Sequence, residues 1–495
     1  MKRQLYLGLF LTLASFACLA QGNQQKPNVI YILADDMGYG DIKKLNADAQ
    51  VSTPNLDRLI NEGAVFTNAH SGSAVCTPTR YGILTGRYAF RSTLKKGVLN
   101  GYSPALIEES RYTVANLAKA AGYQTAIIGK WHLGFNWTPI DGTKKAITPG
   151  EDQYKPDLSN VNYQVPVKTG PNQNGFDYSY IIAASLDMPP YTYLENGKST
   201  SLPLVPFKGS NSPRGVFWRA GPAAENFVIE KTLDVFIAKA QDYVVKASTK
   251  KEPFFLYLPL TSPHTPWLPA DKFKNTSKAG IYGDFVQHTD DAVGRILKTL
   301  DSLGIAKNTI VIFTSDNGAD WKPGDEKEYP LHHANYIFRG EKSDIWEGGH
   351  HIPLIVRWPA SVKANRTISQ ITCLTDLMAT FAGITNQKLP AGAGPDSFNL
   401  QPALMGDVKP VRESIIHHSI DGMFAIRKGK WKFIDGKGSG GWSMKKGKPD
   451  DPDGQLYDME KDERETINLY TKYPLIVKEL KALLEKQKEQ GYSDR

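Results

Sequence analysis

The chain has 495 residues, 41% of them hydrophobic and 22% charged, with a formal net charge of +8. That length allows two or three domains or one large α/β unit, and the balance excludes a disordered, collagen-like or disulfide-scaffold protein. Past residue 20 no apolar run approaches the roughly 20 residues that span a bilayer, so no stable membrane insertion is expected; the positive balance suits an anionic ligand without pointing to nucleic acid.

At the N-terminus, Lys2 and Arg3 precede the apolar run Leu5 to Phe16, and the small-residue stretch Ala17-Cys18-Leu19-Ala20 stands before Gln21. This pattern predicts a secretory signal over 1–20, cleaved after Ala20, and hence an exported, periplasmic or extracellular protein. Cys18 raises a lipoprotein alternative, disfavoured because Ser15 stands where a lipid-attachment signal usually has leucine. Removal of the leader leaves Cys76 and Cys373, too few for a disulfide framework, so stability has to come from the core.

The run Asn28 to Ala34 is short, apolar and rich in β-branched residues, as in a fully buried parallel strand, and it ends on Asp35-Asp36. Ligands of open α/β sheets lie beyond the carboxyl ends of the strands, so this pair is placed either for a hard cation or for a cap or turn. The segment Cys76-Thr77-Pro78-Thr79-Arg80 follows, with Leu84-Thr85-Gly86-Arg87 as its tail. A helix over Tyr112 to Gly122 and a strand over Gln124 to Ile128 form a βα alternation that runs into Gly129-Lys130-Trp131-His132-Leu133-Gly134. There Lys130 and His132 share one face of an extended segment.

Residues 136–225 show little periodicity but many Pro, Asn, Gly and Tyr, the texture of a functional rim. Within them Ser185 to Tyr191 is the segment expected to touch a substrate, Asp187 by accepting hydrogen bonds and Tyr191 by offering a ring face, against the alternative of a Pro-stiffened turn. A helix over Ala224 to Ala247 and a strand over Phe254 to Leu260 open onto Ser262-Pro263-His264-Thr265-Pro266. The next helix, Tyr282 to Leu303, carries Asp290 and Asp291 as surface or packing residues. A further buried strand, Asn308 to Ser315, ends on Asp316-Asn317. With Asp35 and Asp36 these make four oxygen-bearing side chains at two strand ends, a set that suits Ca2+ better than the stricter octahedron of Mg2+. Lys342 stands shortly before Glu347-Gly348-Gly349, and Pro353 to Pro359 reads as the last core strand. Beyond about residue 400 short strand-like runs predict a smaller α+β subdomain, with 436–454 as a Gly/Lys/Asp-rich mobile stretch and a closing helix from Tyr473.

Six separated segments, the Asp35-Asp36, Cys76 to Arg87, Gly129 to Gly134, Ser262 to Pro266, Asp316-Asn317 and Arg339 to Gly349 stretches, together resemble type I sulfatases of the alkaline phosphatase superfamily, and more narrowly bacterial carbohydrate sulfatases. The resemblance covers nearly the whole mature chain. It implies an α/β fold with a large mixed, mostly parallel sheet flanked by helices, a catalytic domain over 21–400 and a C-terminal subdomain over 401–495. It implies that a maturating enzyme oxidises Cys76 to formylglycine, whose hydrate attacks sulfur and ligates calcium beside Asp35, Asp36, Asp316 and Asn317. Arg80 steadies the modified side chain, Lys130 and Lys342 hold sulfuryl oxygens, His264 protonates the leaving alcohol and His132 assists release of sulfate. The expected substrate is a sulfated oligo- or polysaccharide carrying 6-sulfated galactose or N-acetylgalactosamine. The alternatives are a phosphonate or phosphodiester hydrolase of the same superfamily, or a non-catalytic glycan-binding protein. One departure is His351, where many members carry Arg.

Overall fold

In the computed structural model, residues 26–142, 145–147 and 157–494 are described. The expected leader, Cys18 included, lies outside them. Asn28–Asp35 forms β1, and every residue after Asn28 is buried. Its side chains alternate between two cores: Val29, Tyr31 and Leu33 enter one, and Ile30, Ile32 and Ala34 the other. A strand apolar on both faces needs cover on both sides, which is why this run lacks hydrophobic alternation and why helices pack on either face of its sheet.

Among the described residues ten strands form that sheet. In chain order they are β1, β2 (Ala64–Phe66), β3 (Gln124–Lys130), β4 (Tyr178–Ile182), β5 (Leu194–Glu195), β6 (Lys198–Ser199), β7 (Phe254–Pro263), β8 (Thr309–Ser315), β9 (Leu354–Arg357) and β10 (Arg366–Ile368). The spatial order is β10-β2-β9-β8-β1-β7-β3-β4-β5-β6. The centre is parallel: β1 lies between β7 and β8, and β3 continues beyond β7. The antiparallel β9 on β8 makes the sheet mixed. Helices α1 (Pro54–Glu62), α4 (Thr232–Ser248) and α5 (Gly280–Ser302) pack on one face. Helices α2 (Cys76–Thr85), α3 (Val114–Ala120) and α6 (Leu377–Thr385) pack on the other.

The register carries the function. Ala34 pairs with Ser315 and Asp35 with Pro263, so the residues following β1, β7 and β8 emerge side by side at one edge. Between β3 and β7, a Cβ on Gly129 would lie 1.9 Å from the Pro259 carbonyl oxygen, and its φ is +132°. Only glycine permits the approach that brings Lys130 to the same edge.

Strands β11 (Ser414–His418), β12 (Phe424–Lys428), β13 (Trp431–Ile434) and β14 (Gln455–Asp458) form an antiparallel sheet in that order. Helix α7 (Pro474–Gln490) covers it through Val477, Leu480 and Leu484. The short helix Gln401–Met405 packs into the main core through Ala403 and Leu404, so the second sheet begins only at Ser414. Two expectations change here. The helix expected from Ala224 starts at Thr232, because Gly221–Ala224 pairs as a strand with Leu204–Phe207. The stretch 436–443 is packed rather than loose: Ser439, Gly440 and Gly441 are buried, and the Ser439 carbonyl accepts from the Ile345 N–H at 2.9 Å.

Candidate active site

Four of the six sequence segments reach the site because parallel strands end together; of the other two, one arrives at the start of α2 and one from a loop. Asp35 ends β1 and Asp36 follows it, Asp316 and Asn317 follow β8, and His264 follows β7. Asp36 takes a left-handed backbone (φ 65°), uncommon for a residue other than glycine. Its N–H donates to Asp316 Oδ1 at 3.2 Å, and Asn317 Nδ2 donates to Asp36 Oδ1 at 2.7 Å. Asp35, Asp36 and His264 bring ligand atoms within 4.8 Å of one another. Asn317 Oδ1 is buried with no hydrogen-bond partner among the described residues, an orphan acceptor of the kind that a cation satisfies.

Three cations surround the carboxylates. Lys130 Nζ lies 2.9 and 2.7 Å from the two Asp35 oxygens, and Lys342 Nζ lies 2.7 Å from Asp36 Oδ2. Arg80 donates to Asp316 Oδ2 from Nε at 3.0 Å and from Nη2 at 2.6 Å, and Nη2 lies 3.3 Å from Asp35 Oδ1. Burial pushes the Asp35 carboxyl up, but Lys130, His264, Arg80 and Lys342 together hold it well below the usual carboxylate range. Burial raises Asp316 to about 6, against Arg80 and with the help of Asp35. Burial works against the charged form of Lys342, yet Asp36 beside it raises its pKa and keeps it protonated.

Cys76 opens α2, buried behind this cluster. Burial pushes its thiol up, with Lys130 and Lys342 pulling the other way. As a plain thiolate nucleophile it is therefore poorly prepared. His132 and His264 have defined tautomers, because a carbonyl oxygen only accepts. His132 Nε2 lies 2.7 Å from the Leu99 carbonyl oxygen and carries the hydrogen, leaving Nδ1 bare and without a partner. His264 Nδ1 lies 2.5 Å from the Thr265 carbonyl oxygen, so its Nε2 is the atom free to act, 3.7 Å from Asp36 Oδ2.

A cavity of about 610 Å³ opens onto this group, with Cys76, His132, His264 and Lys342 on its floor. Its walls include Asp187 and Arg219 from the long insertion and Trp442 from the C-terminal subdomain. The sulfatase family profile matches residues 27–387 of this chain. An N-acetylgalactosamine-6-O-sulfatase of Bacteroides thetaiotaomicron is 36% identical over 509 residues, 94% of each chain. The chain belongs to the sulfatase family. A mouse N-acetylgalactosamine-6-sulfatase is 30% identical, covering 86% of this sulfatase and 75% of the mouse protein. A solved structure from work on glycosaminoglycan metabolism by B. thetaiotaomicron superposes with a TM-score of 0.81 at 33% identity, over 94% of this chain and all of that one. The protein is thus a sulfuric ester hydrolase.

All ten residues expected at the catalytic and metal centre of this sulfatase, Cys76, Arg80, Lys130, His132, His264, Lys342, Asp35, Asp36, Asp316 and Asn317, converge on the β1–β8 edge. Asp187 also reaches the cavity: it pairs with Arg219 through Oδ2, while its buried Oδ1 has no partner among the described residues. Tyr191 does not line it. Its ring is 1% exposed, packed edge-on against Phe207 and beside Phe227, and its hydroxyl donates to the Arg219 carbonyl at 2.6 Å. The expected open ring face is spent in the core, and Tyr191 supports the wall from behind. His351 stacks on Phe338 at 3.9 Å and bonds Glu347 at 2.9 Å, so the departure from the family pattern is a packing change. Sequence reasoning missed Arg219 and Trp442. The signal for Trp442 was a lone aromatic among glycines, Gly440-Gly441-Trp442, in a stretch taken as mobile.

Proposed function

We propose that this sulfatase is an exported carbohydrate sulfatase that removes 6-sulfate from galactose or N-acetylgalactosamine units, with Cys76 matured to formylglycine and Ca2+ as the metal. The observation that carries the substrate class is the 36% identity, over 94% of both chains, to a protein named for N-acetylgalactosamine 6-O-sulfate. It is supported by a cavity wall that holds an unpartnered buried carboxylate oxygen on Asp187, a natural acceptor for a sugar hydroxyl.

The charges of the centre support a divalent cation. Asp35, Asp36 and Asp316 oppose Arg80, Lys130 and Lys342 one for one, which leaves no surplus to attract a sulfate ester. The all-oxygen set of Asp35, Asp36, Asp316 and Asn317 fits calcium, and the orphan Asn317 Oδ1 is a ready fourth donor. Bound there, the ion would act as a Lewis acid toward the ester oxygens. A hydrated aldehyde at Cys76 would supply one oxygen to attack sulfur and a second to expel sulfate.

The remaining work falls to this chain's own side chains. Lys130 and Lys342 bind and orient the sulfuryl group with fixed positive charge, so little reorganisation accompanies charge movement. Arg80 ties Asp316 to Asp35 and keeps both carboxylates in place. His264, whose Nδ1–H donates to the Thr265 carbonyl, would deliver a proton from Nε2 to the departing alcohol oxygen as the imidazolium, with both nitrogens protonated, and return to the neutral Nδ1–H form. The bare Nδ1 of His132 is able to accept a proton during sulfate release. The test is a panel of 2-, 4- and 6-sulfated galactose, N-acetylgalactosamine and glucosamine, with galactan oligosaccharides, read as free sulfate. Turnover of 4-sulfated sugars with none of the 6-sulfated ones would overturn the positional assignment. Phosphate and phosphonate esters of the same alcohol test the rival hydrolase reading, and any sulfate release excludes a purely glycan-binding role.

A further inference from the structure

We propose that Trp442, supplied by the C-terminal subdomain, is a sugar-stacking wall of the active site and thereby a specificity-determining residue; this rests on the carbohydrate reading above. Trp442 is the only exposed tryptophan among the described residues, at 47%, and it lines the same cavity as Cys76 and Lys342. Large apolar side chains left open inside a concave site mark a surface that a ligand covers.

What the ligand offers there follows from the charges around it. Arg214 sits with Asp325 at 2.7 Å and Asp320 at 3.5 Å, Lys322 with Asp320 at 3.6 Å, and Arg219 with Asp187. The rim cations are thus answered by rim carboxylates, and no surplus positive charge remains for a second sulfate or a uronate. The ligand beyond the reacting sulfate meets a neutral rim and an indole, over which the half-exposed Lys322 places its Nζ at 5.4 Å. A pyranose ring suits that surface, because its C–H face carries a slight positive charge that matches the negative face of the indole quadrupole. Lys342 Nζ lies 5.7 Å from the indole ring centroid, so a sulfate on Lys342 brings its own sugar ring within reach of Trp442.

The indole is also held in place rather than merely exposed. Its N–H of the backbone donates to Ser343 Oγ at 2.9 Å. At the preceding Gly441 an added Cβ would stand 2.4 Å from Asp344 Oδ1 and 2.5 Å from the Ser343 carbonyl oxygen, so glycine is required for this loop to press against the Lys342 segment. The Ser343 N–H in turn donates to the Ala74 carbonyl at 2.8 Å, two residues before Cys76. The Lys342 segment therefore links the stacking wall to the segment that carries the nucleophile.

The experiment compares matured wild type, Trp442→Ala and Trp442→Phe by KM and kcat on the 6-sulfated sugar that wild type turns over best, and by the inhibition constant of inorganic sulfate. Sulfate alone reaches Lys130 and Lys342 but not the wall. We expect Trp442→Ala to lose at least about tenfold in kcat/KM on the sugar, Trp442→Phe to recover most of that loss, and inorganic sulfate to inhibit all three equally. Unchanged sugar kinetics in Trp442→Ala, or sugar and sulfate affinities that fall in parallel, would overturn the stacking role. Wild type that hydrolyses an aryl sulfate but no sulfated sugar would overturn the carbohydrate reading and the stacking role with it, a pattern distinct from either.

Discussion

His132 Nε2 sits 2.7 Å from the Leu99 carbonyl oxygen, and this one contact fixes which nitrogen of the ring is left bare. Burial, then Lys130 and Arg80, hold the ring well below the ordinary histidine range, so it rests neutral with Nδ1 bare. His132 also has φ 56°, a conformation that asparagine tolerates better than alanine. His132→Asn is therefore the variant that separates chemistry from strain. We expect it to melt with wild type and to lose on the order of 10²- to 10⁴-fold in kcat, the usual size of a general acid–base contribution. Full turnover would remove His132 from the reaction.

The metal reading predicts a graded response among its ligands. Asn317→Ala removes a neutral oxygen whose Oδ1 has no other partner, together with the Nδ2 hydrogen bond to Asp36, and it keeps all three carboxylate charges and their cations. Calcium occupancy and turnover should fall together and recover in excess calcium, because the site loses one oxygen but keeps its charge. Asp316→Ala should lose both beyond rescue, since it also strips Arg80 of its closest partner. Zinc at full stoichiometry in purified protein would contradict the assignment.

Maturation is tested on Cys76. Peptide mass spectrometry of active protein should show a loss of about 18 Da at this residue, the step from thiol to aldehyde. Cys76→Ala should fold and release no sulfate. Fully active protein with an unmodified thiol would end the formylglycine reading.

The centre was legible in the sequence for a physical reason. Asp35, Asp316 and His264 each follow a short apolar run of the kind expected of a buried parallel strand, and parallel strands end at one edge. Cys76 comes from the start of α2 and Lys342 from a loop, and only their segment motifs announced them. The walls were less legible because they depend on contacts between distant segments. Tyr191 has the composition of a sugar platform, but Phe207 and Phe227 close over it. Trp442 lies in a stretch whose glycines suggest mobility, yet Gly441 is glycine because the Asp344 carboxylate and the Ser343 carbonyl leave no room for more. Composition reports conformational freedom and cannot say what occupies the space.

The junction between the two sheets makes stability depend on acid. His417 is buried on β11, donating from Nδ1 to the Ser71 carbonyl at 3.1 Å and stacked on His350 at 3.8 Å. Burial, then Lys432, pushes its pKa down to about 3. Between the ordinary histidine value near 6.5 and that folded value, the unfolded chain binds a proton that the folded chain refuses, so stability falls as pH falls. From pH 6.5 to pH 5 this amounts to about 2 kcal/mol for one such group. Glu465, raised to about 7 by burial against Lys432, works in the other direction and loses stability as pH rises through 7. Denaturant unfolding at pH 7 and pH 5 should show His417→Asn, which keeps a donor for Ser71, losing about 2 kcal/mol less than wild type between the two. Equal losses would mean that His417 is already protonated in the folded protein.

On the proposed carbohydrate reading, Asp187 accepts a hydrogen bond from the sugar. Its Oδ2 holds Arg219 and its Oδ1, buried and without a partner among the described residues, is left for a ligand. A hydrogen bond to a charged acceptor contributes roughly 1.5 to 3 kcal/mol, or one to two decades in kcat/KM when it is made in the transition state. Asp187→Ala should accordingly lose about 10- to 100-fold on a 6-sulfated sugar, while a small aryl sulfate, which has no ring hydroxyls to offer, keeps most of its rate. Asp187→Asn, which retains an oxygen and the shape of the wall, should fall between the two. Equal losses on sugar and aryl substrates would show instead that Asp187 acts only by holding Arg219, with no hydrogen bond of its own to the substrate.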